Sequence, residues 1–175
     1  MRFIKLSCLL LAGVSGFAAS SYAEDSVEEV GEWKVISRPQ PDGQQLCTLQ
    51  SPANADGIYF FLANPRGVDE ASKGIGFLSI VYPTRLIDSE SDTIADVVFS
   101  VSKKARWEIS ETTWQARNPG GVLSASLAQE IVALLEPFAR GKSLQVDAER
   151  LTTEIPLGGS YGAVLAYKDC IGVTE

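Results

Sequence analysis

The chain has 175 residues, no histidine, three cysteines and a formal net charge of −7. The length suits one domain with a real core. The acidic balance excludes nucleic acid as a partner, because that needs clustered Lys and Arg, and the missing histidine removes Ser-His-Asp and Cys-His catalysis and the usual zinc ligand sets.

Residues 1–23 read as an export signal. Arg2 and Lys5 form a positive start, Leu6 to Ala19 a mostly apolar run, and Ser21-Tyr22-Ala23 a small-x-small cleavage site. The apolar run is shorter than the roughly 20 residues of a membrane span, and no later stretch is long and apolar enough to serve as a transmembrane segment. Cys8 precedes most of that run, whereas a lipidated cysteine follows it, so no lipid anchor is expected. Cleavage removes two positive charges and no negative ones, which takes the net charge to −9. Cys47 and Cys170 remain, and in an oxidising compartment the pair is expected to form one disulfide.

Residues 24–31, EDSVEEVG, are acidic and aperiodic and read as a flexible lead to a single β-rich domain over 32–175. Alternation predicts a first strand over Glu32–Arg38 with Trp33 and Val35 inward, a Pro39–Gly43 turn, and a second strand over Leu46–Gln50 carrying Cys47. Ser51–Gly57 reads as a loop and Ile58–Leu62 as a strand, closed by a turn at Asn64-Pro65-Arg66-Gly67. Gly74–Tyr82 is apolar in both alternating sets, the pattern of a strand covered on both faces. Ala95, Val97, Phe99 and Val101 alternate inward; Ala105, Trp107 and Ile109 follow on another strand, and Thr112–Ala116 forms one more short strand.

A helix is predicted from Ser126, with Ser126 and Gln129 as a capping box and Leu127, Ile131, Leu134, Leu135 and Phe138 on one face. Pro137 should end or kink it close by. Leu144 and Val146 open the next strand, Leu151 to Leu157 alternate on the last, and Ala163, Val164 and Tyr167 mark a closing helix. Seven to nine strands with two helices give a mainly antiparallel β-sandwich or open barrel with one packed amphipathic helix and a short C-terminal helix.

Three stretches invite a chemical reading. Gly158-Gly-Ser-Tyr-Gly162 matches the nucleophile elbow G-x-S-x-G between a strand and a helix. Its serine would need a lysine as base, and Lys168 lies two helical turns away; the reading preferred here is that Ser160 caps the last helix. Asp88, Glu90, Asp92 and Asp96 cluster carboxylates, but Thr93 and Phe99 stand where a calcium loop needs glycine and glutamate, so a solvated loop is expected and no metal. Lys103, Lys104 and Arg106, with Trp114 further along, make a small basic-aromatic patch that could face a carbohydrate or a protein partner. No cofactor is implied.

The order of short pieces resembles the invasion-associated locus B family of exported bacterial proteins. The pieces are GEWKV, the cysteine of LCTLQ, the strand GIGFLSIVY, FARGKSLQV, and IPLGGSYGAVLA near the end. Glu32 stands where that family usually has Asp, and Cys170 lies at the end of the chain rather than in its middle. The resemblance implies a small periplasmic or secreted β-rich protein without established catalytic residues, linked to host interaction or envelope stress. The expectation is therefore a non-enzymatic binding protein of the envelope whose partner is an unknown protein or envelope component. An accessory subunit of a secretion or envelope complex, and a hydrolase centred on Ser160, are the alternatives.

Overall fold

The computed structural model describes residues 24–66, 76–83, 93–102, 105–116, 121–127, 131–148 and 151–173. The expected export signal over residues 1–23, the carboxylates at 88–92, and Lys103 and Lys104 lie outside the described residues.

The strands are β1 (Ser26–Val30), β2 (Trp33–Pro39), β3 (Gln45–Gln50), β4 (Tyr59–Arg66), β5 (Gly76–Tyr82), β6 (Thr93–Val101), β7 (Ala105–Ala116), β8 (Gly121–Leu127), β9 (Ser143–Ala148) and β10 (Leu151–Pro156); the helices are α1 (Ile131–Arg140), after β8, and α2 (Ser160–Ile171), after β10. Every pairing is antiparallel, in the order β1-β2-β3-β4-β5-β8-β7-β6-β9-β10. The first five strands form a meander and the last five a second layer, joined where β5 pairs with β8. Among the described residues nothing pairs β1 with β10, so the sandwich does not close into a barrel.

One core serves both layers. Trp33 and Val35 of β2, Leu49 of β3, Phe60 and Leu62 of β4, and Leu78 and Ile80 of β5 are buried on one side. Val97, Phe99 and Val101 of β6 and Leu144 and Val146 of β9 are buried from the other. Period-two alternation sends each set to one face. Helix α1 contributes Ile131, Leu134, Leu135 and Phe138, and α2 contributes Ala163, Val164 and Tyr167. Phe60 meets Phe138 at 5.2 Å between ring centroids and Trp33 at 5.7 Å, the latter edge to face.

Several sequence expectations are corrected. The acidic lead is a strand: Ser26–Val30 pairs with β2, with Glu29 against Lys34 at 3.6 Å and Asp25 against Arg38 at 2.7 Å. Cation placement on β2 offsets the acid of β1, and Gly31 at φ 65° makes the two-residue turn between them. Asn64 and Pro65 do not end β4; they stand opposite Cys47 and Leu46 in its ladder. β5 is covered fully on one face only, since Phe77 is 43% exposed. The two strands expected over 105–116 are one, with an irregularity in the β6–β7 register between Ala95 and Val97.

The capping-box start of the first helix is wrong as well. Ser126 and Leu127 belong to β8, opposite Phe77 and Gly76, and α1 is helical from Ile131. GVLSASL alternates as well as it caps, and two neighbouring strands supply more hydrogen bonds than one cap does. Pro137 is accommodated inside α1, which ends three residues later at Arg140.

Candidate functional site

Helix α2 is pinned at both ends. At its start, the indole nitrogen of Trp33 donates to the Gly158 carbonyl at 2.8 Å. At its end, Cys170 is bonded to Cys47 of β3, closing 123 residues. The expected disulfide is thus present. The first and last pieces of the family-like pattern, GEWKV and IPLGGSYG, also meet through that indole bond.

The elbow serine is placed differently from expectation. Gly159, at φ 75°, is the residue that caps α2, and it makes no side-chain cap bond. A left-handed residue at that point favours glycine, and this one turns the chain from β10 into the helix. Ser160 is 1% exposed, and its hydroxyl donates to the Phe138 carbonyl at 2.7 Å, tying α2 to the last turn of α1. The bond satisfies a carbonyl that α1 leaves orphaned near its C-terminus. A hydroxyl sealed in this way has no face open to a substrate. Farther along α2, the buried hydroxyl of Tyr167 has no hydrogen-bond partner. Burial pushes its phenol well above the usual range.

A groove of about 670 Å³ lies on the outer face of β6, β9 and β10. Ser100, Arg106, Gln145, Asp147, Thr152 and Glu154 line it. Outward positions alternate with core positions along these strands, so rigid backbone holds the polar set. The Thr152 hydroxyl donates to Asp147 at 3.0 Å. Arg106 lies 3.7 Å from Glu108, both well exposed, a contact worth little by itself. The guanidinium therefore stays available to a ligand. One cation, two carboxylates and several hydroxyl and amide groups suit a polar ligand rich in hydrogen bonds, a sugar or a peptide, better than an apolar one.

Of the expected basic-aromatic patch, Arg106 lies in this groove. The backbone of Trp114 stands opposite Leu123 and Thr93, beyond the β6–β7 irregularity, so simple alternation does not carry from Arg106 to Trp114. The Trp114 side chain lies outside what is described. Sequence reasoning missed Gln145, Asp147, Thr152 and Glu154. They come from a hairpin 40 residues downstream of Arg106, and no local pattern announces that β9 pairs with β6.

The other residue that sequence reasoning missed is Asn54. Its side-chain nitrogen donates to Thr153 Oγ1 and to the Glu154 carbonyl, each at 3.0 Å, while its oxygen accepts from the Asp56 and Ile58 amides. The β3–β4 loop is thereby locked onto the outer edge of β10.

Among the described residues no group of His, Cys, Asp or Glu is arranged to hold a metal ion. No helix among them is long and apolar enough to cross a membrane. No protein-family model matches the chain, and no curated protein and no solved structure matches it.

Proposed function

We propose that this is a non-enzymatic exported protein of the bacterial envelope, which binds a polar partner in the groove formed by β6, β9 and β10. The observation that carries the reading is the groove itself: Arg106, Asp147 and Glu154 line it on paired strands. Two further facts support it. The Cys47–Cys170 bond suits the oxidising space outside the cytoplasm, where such bonds persist. The sealed hydroxyl of Ser160 speaks against the hydrolase alternative. The resemblance to the invasion-associated locus B family points to the same kind of protein, with host interaction as one use of the surface.

The test is a pull-down from envelope extract with the wild-type protein and with Arg106→Glu. Specific capture by the wild type and its loss in the variant are expected. Equal capture by both would remove the groove from the proposal, and labelling of Ser160 by a fluorophosphonate probe would reinstate the enzyme.

A further inference from the structure

We propose that the free edge of β1 accepts an extended basic segment of a partner protein as an eleventh strand. The backbone settles which groups are on offer. The two-residue turn at Gly31–Glu32 makes Val30–Trp33 the hydrogen-bonded closing pair of the β1–β2 hairpin, and alternation gives the same role to Glu28–Val35 and Ser26–Ser37. Val27 and Glu29 therefore turn their N–H and C=O groups to the open side. No other described backbone group bonds there. Val27 is 53% exposed.

The side chains decide the guest. Beside β1, between it and the last turn of α2, lies a groove of about 390 Å³ lined by Ser26, Glu28, Ser37, Gln45, Asp169 and Cys170. Glu28 and Asp169 form no ion pair among the described residues, whereas Asp25 and Glu29 are matched by Arg38 and Lys34. A strand laid along β1 turns every second side chain toward this groove. A lysine or arginine there meets two unmatched carboxylates. A second copy of this chain is the wrong guest: pairing β1 with itself antiparallel sets acid against acid, and like charges opposite one another destabilise a sheet. Strand addition of this kind takes affinity from the main chain and specificity from alternate side chains. The site is separate from the groove that contains Arg106.

The probe is a blocked octapeptide of alternating Lys and Val, titrated into the full mature protein and followed by backbone NMR, with a Glu-Val octapeptide as the counter-probe. Binding of the first and not the second is expected, with new exchange protection at the Val27 and Glu29 amides. Val27→Pro removes an outward N–H without touching the β1–β2 ladder and should weaken binding about tenfold or more. Glu28→Lys should shift preference toward the Glu-Val peptide, which decides the matter if the proline variant folds poorly. Arg106→Glu should leave this binding unchanged. No binding at millimolar peptide, equal binding of the two peptides, or protection elsewhere in the sheet overturns the proposal.

Discussion

The sheet has two ends, and they are finished in different ways. At β10 the alternation that starts from the Ala148–Leu151 pair turns the Thr152 and Glu154 main-chain groups outward, and Asn54 covers the Glu154 carbonyl. At β1 the equivalent groups of Val27 and Glu29 have no such cover among the described residues, and charge is the only guard. Proteins protect sheet edges by covering them or by charging them, because a bare edge templates aggregation. A loop locked across an edge obstructs any guest at that point, whatever its charge. A charged edge is closed only to guests of like sign, so it can select. The difference makes β10 a structural boundary and β1 a surface with a preference.

The largest way to disturb this contrast is to cut the disulfide. Cys170→Ser frees the end of α2 that lies beside β1 and leaves the Asn54 lock untouched. The chain-entropy relation for a loop of 123 residues gives a loss of roughly 4–5 kcal/mol. Denaturant unfolding should show that loss, and amide exchange should rise more in β1 and β2 than in β9 and β10. Equal loosening at both ends would mean that the disulfide does not favour the β1 end.

Asn54→Ala acts on the opposite end. Two long-range hydrogen bonds disappear along with the turn bonds of the loop, a cost of about 2 kcal/mol. Thermal melts should record it, and exchange should rise at the Asp56 and Ile58 amides, which donate to the Asn54 side chain, with β1 unaffected.

The smallest effect belongs to the ion pair at β1. The hydrogen bond from Arg38 holds the Asp25 carboxyl below its ordinary value near 3.8. A lowered folded value means that the pair stabilises above the ordinary pKa, and that this support is lost as the pH falls through the lowered one. Both groups are fully exposed, so salt should screen the effect. Arg38→Gln should bring the stability of the two proteins together at acid pH and should matter only at low ionic strength when neutral.

What the residues revealed in advance follows the same division. The covered part of the sheet was legible. Trp33, Val35, Val97, Phe99, Val101, Leu144, Val146 and Ile155 alternate because one face meets a core, and the closing helix shows its buried Ala163, Val164 and Tyr167 at helical spacing. The pairing of Cys47 with Cys170 was legible because these are the two cysteines outside the apolar N-terminal run. The ends of the sheet were not legible. β1 has only two valines, and what holds it is the ladder to β2, with cations of that strand set beside its acids. Asn54 looks like an ordinary turn residue, since its local bonds to Asp56 and Ile58 are those of any such loop and its distant partners lie 99 and 100 residues away. β8 was lost to a capping pattern that its neighbours override. The groove was legible only at Arg106, for its other walls arrive by non-local pairing.

The direct measurement is residue-resolved amide exchange along residues 26–30 of the protein with no ligand added. A paired strand with one open side should show alternation: the Val27 and Glu29 amides exchange quickly, and those of Glu28 and Val30 slowly. Uniformly fast exchange would return the segment to a loose tail, and uniformly slow exchange would mean that something already covers the edge; either result contradicts the account.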